Sequence, residues 1–366
     1  MSSAVDAQPR RPAALAQACL DAAGSAAIIA VVTIFPYPFV VADVGGTNAR
    51  FQMHPAPGAS PGRVHRRATN GHASFVEAIS SVEWPERPRA LIVCAAGPLA
   101  GRRITLTNAP WALDGEAIAD ALRLDQGLLL NDFEAQALAA PVLPPDWTRP
   151  VGPQPAPDPH GVRLVIGPGT GLGVGLVVPV GARIRAIATE GGHTDLAPVG
   201  DEEEAIWAVV ERVAGRVTPE SMLSGAGLAR LHAAREKVAG RASRAADAAE
   251  LTERAHADPA GPEGETLRHA WRLLARVVGD CALMCLPGGG VLLTGGILPR
   301  ITQFLDEPAF RAAFEAKAPV SAALRGAPIR LLLNDDAPLA GMAALARDPE
   351  SRDIDWAARL WRARSN

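Results

Sequence analysis

Residues 37–50 have the sequence YPFVVADVGGTNAR, and this stretch decides the fold class. Its first half, residues 37–42, is short, apolar and rich in β-prone side chains, which predicts a buried strand. The strand runs into Asp43 and then into the Gly45-Gly46 pair, which predicts a tight turn. Glycines let the backbone pass close to a bulky anion, and free N–H groups with the Thr47 hydroxyl suit a phosphate. The stretch therefore predicts a strand that ends in an anion-binding turn, with a plain hairpin turn as the alternative.

The pattern of a buried strand followed by a polar or Gly-rich turn recurs along the chain. Further strands are predicted over residues 89–94, 104–107, 128–130, 162–166, 176–180, 291–293 and 329–333. Helices are predicted over residues 114–123, 133–140, 201–213 and 337–346, and they dominate residues 219–286. Strands mixed with helices predict an α/β architecture. In open α/β sheets ligands gather at the carboxyl ends of strands, so we expect the functional residues at those ends.

A second glycine-rich run, GPGTGLGVG, occupies residues 167–175. Glycines at alternate positions weaken a strand, so the close approach of the backbone to a ligand is the better explanation. The run does not match the dinucleotide-binding pattern G-x-G-x-x-G. A P-loop is also excluded, because neither of the two lysines, Lys237 and Lys317, follows a glycine-rich loop. We therefore predict a second phosphate loop of another type.

Another Gly pair, Gly295-Gly296, follows the predicted strand at 291–293. A plain turn is as consistent with this sequence as a ligand loop.

Asn131 and Asp132 directly follow the predicted strand at 128–130. A carboxylate at such a strand end can accept a proton from a substrate hydroxyl. The alternative is a helix N-cap, which either residue can provide for the helix that follows. From the residues alone, the cap is the favoured interpretation.

Three further polar residues, Glu190, His193 and Glu220, lie at turns or helix starts. Glu190 and His193 flank a Gly pair and can accept and donate hydrogen bonds to a polyhydroxylated ligand, although a plain polar loop fits equally well. A metal site is disfavoured there, because Asp195 is the only other ligand nearby. Glu220 follows Thr218 and Pro219, which fit the start of a helix, so the residues alone assign it to structure.

Length and composition set the remaining bounds. The chain has 366 residues, 48% of them apolar, and a net charge of −3, which predicts two folded domains and gives no basic excess for nucleic acid.

Cys281 and Cys285, four residues apart in an apolar run, are predicted to lie in a helical core. The proline-rich stretch 141–161 is predicted to be a linker. The apolar run 26–35 is too short to span a bilayer, so we expect no membrane partner.

Taken together, the six motifs resemble the bacterial glucokinase family, a branch of the sugar kinases that share a core with actin. The resemblance extends from Tyr37 to Ala346, with the motifs in the same order. It implies a two-domain, actin-like (ribonuclease H-like) ATPase fold with a cleft between the domains. The expected division is a poorly ordered extension over 1–36, a small domain over 37–142 plus 335–366, and a large domain over 143–334.

The resemblance also implies an activity and the residues that perform it. The expected reaction is transfer of the γ-phosphoryl group of ATP to the 6-hydroxyl of glucose, with Mg²⁺, in a homodimer. The short N-terminal apolar run, which no A-x-A-like cleavage site follows, separately predicts a cytoplasmic location. The residues implied in ATP binding are Ala42, Asp43, Val44, Gly45, Gly46, Thr47, Gly169, Thr170, Gly171, Gly295 and Gly296. Those implied in glucose binding are Asn108, Asn131, Asp132, Glu190, His193 and Glu220. Asp132 would be the catalytic base and Asp43 would hold magnesium through water. These roles replace the structural assignments of Asp132 and Glu220.

Proteins with other functions would carry the same motifs. A kinase for another hexose or an amino sugar would carry them, and so would a sugar sensor without catalysis. A related sugar-responsive repressor would need a helix-turn-helix region of roughly 60 residues before the core. Only 36 residues precede Tyr37, so no nucleic-acid partner is expected.

Overall fold

The computed structural model describes residues 35–106, 109, 111–243 and 245–362. The described part contains two six-stranded sheets and a small three-stranded sheet, with helices packed against them, which confirms the predicted α/β class. Most of the expected N-terminal extension, and Asn108, lie outside these residues. Phe35, which the expected extension included, is buried with 1% of its surface exposed and packs against Trp356.

The elements follow one another in mixed order. The strands are β1 (Phe39–Val44), β2 (Asn48–His54), β3 (His65–Ala68), β4 (Ala90–Ala95), β5 (Leu99–Ala100), β6 (Arg103–Thr105), β7 (Ala112–Asp114), β8 (Gln126–Asn131), β9 (Thr148–Pro150), β10 (Arg163–Pro168), β11 (Leu172–Val180), β12 (Arg183–Thr189), β13 (Gly290–Leu293), β14 (Ile329–Leu332) and β15 (Leu360–Arg362). The α-helices are α1 (Phe75–Ser80), α2 (Gly115–Leu122), α3 (Asp132–Ala139), α4 (Gly200–Val209), α5 (Pro219–Leu223), α6 (Gly225–Val238), α7 (Ala248–Ala257), α8 (Pro262–Cys285), α9 (Glu307–Glu315), α10 (Ala337–Arg347) and α11 (Trp356–Arg359). Across the described residues, none of these helices has the length and apolarity to cross a bilayer.

The first sheet has the strand order β15-β8-β4-β1-β2-β3. Its central strands β1, β4 and β8 are parallel to one another and almost entirely buried, and each has an apolar centre, as strands covered on both faces do. Their carboxyl ends are in register, because Val44 lies opposite Ala95 and Ala95 lies opposite Asn131. The first predicted phosphate turn and the predicted catalytic carboxylate therefore emerge from one edge of one sheet.

The second sheet has the order β12-β11-β10-β13-β14-β9, with β10, β13 and β14 parallel. The second glycine run leaves β10 and returns as β11, which begins at Leu172 and is longer than the predicted strand at 176–180. The stretch predicted as a linker, 141–161, contains β9, which pairs with β14 at the edge of this sheet. The linker prediction was therefore wrong at 148–150.

Helices α3 and α10 lie between the two sheets. Apolar residues on one side of each helix belong to the core of the first sheet, and Ala137, Ala139 and Ala337 contact the second sheet. The two helices approach each other closely at Gly341, where a β-carbon would lie 2.5 Å from the carbonyl oxygen of Ala135. The Ala-rich sequence of α3 is therefore required by its position between two sheets. The exact domain boundaries stay a prediction.

Cys281 and Cys285 lie on α8, where the sequence predicted helical core cysteines. Both are free thiols, and Cys281 is buried. Burial raises the pKa of each thiol to about 11. Neither is therefore activated as a nucleophile at neutral pH.

His54, at the end of β2, makes folding stability depend on pH. Its ring stacks on Phe39, and Arg347 at the end of α10 donates to its Nδ1 at 3.0 Å. Burial, aided by the charge of Arg347, lowers the pKa of His54 from 6.5 to about 4. The unfolded chain therefore binds this proton more tightly, and stability present above pH 6.5 is lost as the pH falls toward 4.

We expect the free energy of unfolding to fall by about 3 kcal/mol across this window because of His54. Urea unfolding at pH 7, 5.5 and 4 measures it, with His54→Gln as the variant that cannot titrate. The difference in stability between pH 7 and pH 4 should be smaller in the variant. An equal pH dependence in both proteins would contradict the assignment.

Candidate active site

Asp132 is the first residue of α3 and lies at the carboxyl edge of the first sheet. Its Oδ1 accepts a hydrogen bond from the backbone N–H of Phe133 at 2.9 Å. Burial raises the pKa of Asp132 from 3.8 to about 6, against the hydrogen bond from Phe133, and the nearby charge of Asp43 adds to the rise. A carboxylate with this pKa is ionised at neutral pH and has more affinity for a proton than an exposed one.

Asn131 holds the start of α3. Its Oδ1 accepts from the backbone N–H groups of Phe133 at 2.9 Å and Glu134 at 3.4 Å, and Glu134 in turn accepts from the backbone N–H of Asn131. This arrangement is a capping box, in which Asn131 and not Asp132 is the N-cap of the helix. The Nδ2 of Asn131 also donates to the carbonyl oxygen of Gly97 at 3.3 Å. Because Asn131 is the cap, Asp132 is not needed for that role.

Asp43 lies at the end of β1, two strands from Asn131, with 8% of its surface exposed. Arg50 forms an ion pair with its Oδ2, and the thiol of Cys94 donates to its Oδ1 at 3.3 Å. A carboxylate oxygen can accept two hydrogen bonds, and each Asp43 oxygen accepts one from these two side chains. Each oxygen can therefore accept a second hydrogen bond from water. The donor set therefore fits a magnesium ion held through water and shared with nucleotide phosphates. Within the described ranges no three His, Cys, Asp or Glu side chains form a metal cluster.

The turn after Asp43 is a hairpin turn that joins β1 to the antiparallel strand β2. The N–H of Gly45 donates to the carbonyl oxygen of Asn48 at 2.9 Å, and the hydroxyl of Thr69 donates to the carbonyl oxygen of Gly45 at 2.9 Å. Thr47 is exposed. The hairpin alternative is therefore the observed geometry, and it leaves the Thr47 side chain accessible to an anion.

Most glycines of the second run are explained by protein contacts. At three positions an added β-carbon would lie within 2.5 Å of another side chain or backbone atom: Gly167 (Thr294 O, 1.8 Å), Gly171 (Glu220 Oε2, 2.4 Å) and Gly173 (Phe133 Cε2, 1.8 Å). Only Gly169 has no heavy atom within 4 Å of that position among the five, and Thr170 beside it is exposed. The sequence argument from ligand approach therefore fits the Gly169-Thr170 tip, and close packing accounts for its neighbours.

Gly295 lies against Pro168, the residue before this tip. Its φ is +95°, and an added β-carbon would lie 2.2 Å from the carbonyl oxygen of Pro168, so only glycine fits here. Gly296 has open space at the same point. Two of the three predicted ATP-binding elements are therefore packed together at the carboxyl ends of β10 and β13. The Asp43 turn belongs to the other sheet, and within the described part of the chain it makes no hydrogen bond to the Gly169 turn.

Glu190, His193 and Glu220 are brought together by the fold. The Nε2 of His193 lies 3.6 Å from Glu190 Oε2 and 3.8 Å from Glu220 Oε2. The turn that carries the first two packs on β11 at Gly192, where a β-carbon would lie 2.1 Å from the carbonyl oxygen of Leu172. Gly192 is thus required by packing, whereas at Gly191 the nearest atom is a Val174 side-chain carbon at 3.1 Å. The cluster presents two carboxylates and an imidazole, which can accept from and donate to several hydroxyl groups.

Strand β11 connects this cluster to the helix that begins at Asp132. The backbone N–H of Leu172 donates to Glu220 Oε2 at 2.9 Å, and Gly173, the next residue, lies against the ring of Phe133. Glu220 and Phe133, the residue after Asp132, therefore contact neighbouring positions along one strand. Glu220 also keeps the structural role that the residues predicted, since α5 begins with Thr218 as its cap.

The chain resembles known proteins along most of its length. Residues 40–349 match the Glucokinase family model. A glucokinase of Sinorhizobium medicae is 37% identical over 331 residues, which are 90% of this chain and 97% of the relative. A glucokinase of Brucella melitensis is 38% identical over 345 residues, 92% of this chain and 99% of the relative. The crystal structure of a glucokinase from an Antarctic psychrotroph has a TM-score of 0.73 and 30% identity, and covers 84% of this chain and 98% of its own.

The likeness in structure confirms the two-domain, actin-like sugar kinase fold that the motifs implied. The match to the family model includes the strand ends described above, in both six-stranded sheets. The chain belongs to the glucokinase family.

Proposed function

We propose that the chain transfers the γ-phosphoryl group of ATP to the 6-hydroxyl of glucose, giving glucose 6-phosphate and ADP. The observation that carries the proposal is Asp132, a half-buried carboxylate with its pKa raised to about 6, at the same sheet edge as Asp43. Family membership supports the reaction class. The pKa of a general base must lie near the operating pH, so that the base is ionised and can still accept a proton. The pKa of Asp132 meets that condition.

In the proposed reaction the 6-hydroxyl oxygen forms a bond to the γ-phosphorus, the bond to the leaving ADP oxygen breaks, and the hydroxyl proton moves to Asp132. Phosphoryl transfer needs mainly positioning and charge neutralisation. The capping box at Asn131 fixes where the Asp132 carboxylate stands. Magnesium, when bound, supplies charge neutralisation at the phosphates, and Asp43 would hold it through water.

The nucleotide would contact three elements. The exposed Thr47 and the turn from Ala42 to Gly46 would face the phosphates from the first sheet. The Gly169-Thr170 tip, with Gly171 after it, would face them from the second. Gly295-Gly296 would lie against the adenosine. Open space beside Gly169 and Gly296 supports these roles, because a ligand can approach the backbone there.

Glucose would be held between the two sheets. Glu190, His193 and Glu220 would bind its hydroxyl groups on one side, and Asn131 and Asp132 would bind it on the other. Asn108, outside the described residues, is proposed to complete the site on the resemblance alone. Closure of the cleft on the sugar would exclude water, which otherwise competes as the phosphoryl acceptor.

Competition among hexoses tests the choice of substrate. Equal concentrations of glucose, mannose, fructose and N-acetylglucosamine with limiting MgATP should give glucose 6-phosphate as the main product. A different sugar phosphate as the main product would make the chain a kinase for that sugar. Binding of glucose without any product would make it a sensor.

The rate should also depend on the ionisation of Asp132. We expect kcat/KM for glucose to fall about tenfold for each pH unit below about 6, because only the ionised carboxylate accepts the proton. Initial rates between pH 5 and 8 at low glucose measure this, with each sample returned to pH 7.5 to verify that activity recovers. A flat profile down to pH 5 would remove Asp132 from the role of base.

The homodimer is a proposal that rests on the resemblance, and the cytoplasmic location is one that rests on the N-terminal sequence. Sedimentation velocity at micromolar concentration tests the first, with about twice the 38.1 kDa chain mass as the expected result. Fractionation of the source cells tests the second.

A further inference from the structure

The C-terminal segment 349–362, which we call the strap, contacts both sheets. At one end, the backbone N–H of Asp353 donates to the carbonyl oxygen of Ile184 on β12 at 2.9 Å. The Asp353 carboxylate accepts from Arg185 Nε at 2.7 Å and lies 3.4 Å from Arg183. These contacts fasten the strap to the edge strand of the second sheet.

At its other end the strap becomes β15, which pairs antiparallel with β8 in the first sheet. Trp361 is fully buried there, between two glycines. A β-carbon at Gly115 or at Gly127 would lie 2.1 Å from the Trp361 ring. Gly127 is part of β8, the strand whose carboxyl end carries Asn131. The strap is therefore built into the sheet that presents the catalytic carboxylate.

Between these two ends lies Arg359, the last residue of α11. Its Nη1 donates to Glu134 Oε1 at 2.6 Å. Glu134 is a buried carboxylate, 5% exposed, and its other oxygen accepts from the backbone N–H of Asn131 in the capping box. A buried carboxylate needs a partner of opposite charge, and Arg359 supplies it. One ion pair thus joins the strap to the residue that caps the catalytic helix.

We propose that the strap belongs to the catalytic apparatus, with Arg359 as a positioning residue that fixes Asp132 through Glu134 and Asn131. The proposal rests on the proposed role of Asp132 as base. It adds a residue outside the part of the chain that matches the family model, which ends at residue 349. Because the strap also holds β12, it links the sugar-binding side of the cleft to the base.

The kinetic test replaces Arg359 by Met, with Arg359→Lys as the rescue variant. We expect Arg359→Met to lower kcat about tenfold with KM for ATP within about twofold, because a small displacement of the base affects the chemical step more than nucleotide binding. Arg359→Lys should recover most of the rate, since it keeps a positive charge. The matched control is Arg103→Met, which removes an exposed ion pair with Asp114 in the small three-stranded sheet and should leave kcat unchanged.

Amide hydrogen exchange gives a readout that does not depend on activity. The N–H groups of Phe133 and Glu134 donate to Asn131 Oδ1, so their exchange reports on the capping box. In Arg359→Met their exchange should accelerate about tenfold, while the amides of α8 stay as in the unmodified protein. If the single variant does not fold, Arg359→Met combined with Glu134→Gln removes the unpaired buried charge, and the same two effects are expected.

The outcomes separate the two proposals. Unchanged kcat with unchanged exchange at Phe133 and Glu134, in either variant, would overturn the role of the strap. Accelerated exchange without a change in kcat would also overturn it as a positioning device for catalysis. Accelerated exchange together with a full rate in Asp132→Asn would leave the strap as a helix anchor and would instead overturn Asp132 as the base.

Discussion

Replacing Asp132 by Asn is expected to lower kcat for glucose by on the order of 10² or more, as for the loss of a general base. Asparagine has nearly the same shape, and its Oδ1 can still accept from the N–H of Phe133, so the start of α3 should be preserved. It has no site that takes a proton at neutral pH. Glucose affinity, measured by isothermal titration calorimetry, should change little while turnover falls.

The same substitution should make the protein more stable. The pKa of Asp132 is higher in the folded protein, about 6, than the value of 3.8 for a free side chain, so the folded state binds the proton more tightly. The ionised side chain therefore destabilises the fold as the pH rises from 4 through 6, by about 3 kcal/mol once both states are ionised. Asparagine carries no charge and avoids this cost.

Urea unfolding at pH 7 and at pH 4 measures the effect of Asp132→Asn on stability. The variant should be more stable than the unmodified protein at pH 7. At pH 4 the two should differ little in stability, because Asp132 in the folded protein is already protonated there. Loss of activity together with loss of stability at pH 7 would mean that the substitution damages the fold, and the kinetic result would then not identify a base.

A pair of glycine variants should give the second large effect. Gly173→Ala places a methyl group 1.8 Å from Phe133 Cε2 and should destabilise the protein by about 3 kcal/mol, because overpacking at a buried contact forces side chains and backbone apart. Phe133 follows Asp132 directly, so kcat should fall as well. Gly169→Ala has open space around the added methyl group and should leave stability within about 0.5 kcal/mol.

The two variants should differ in kinetics as they do in stability. Gly169→Ala is expected to raise KM for ATP several-fold, since its methyl group would occupy the space proposed for a phosphate, and to leave the affinity for glucose unchanged. Thermal unfolding and steady-state kinetics of the pair measure this. Equal destabilisation by both substitutions would contradict the division of the glycine run into a ligand-facing tip and packed neighbours.

The strands that the sequence predicted well are those buried on both faces. Strands β1, β4, β8 and β13 are short runs of apolar residues, and their patterns follow from the layer architecture alone. Strand β12 was not predicted, because its residues RIRAIAT are largely exposed or half-buried. Strand β9 contains a proline within a polar segment, and β15 exists because β8 offers it an edge. Such edge strands depend on their partners and give a weak local signal.

The candidate site was also predicted in part and missed in part. The residues at strand ends were predicted, because the topology places those ends together. The partners that hold them were missed: Arg50 and Cys94 around Asp43, and Arg359 beside Glu134. The spacing of Asn131 and Glu134 matches a capping box and could have identified that pair. No local pattern could have placed Phe133 against Gly173, since that contact depends on how the two sheets meet.

The most direct test of the central proposal is ADP release by the purified protein with MgATP and either glucose or 6-deoxyglucose. The two sugars differ only at the hydroxyl that is proposed to attack the phosphorus. We predict sustained ADP release with glucose, release at the no-sugar level with 6-deoxyglucose, and inhibition of the glucose reaction by 6-deoxyglucose. Equal ADP release with both sugars, or none with glucose, would contradict phosphorylation at the 6-position by this chain.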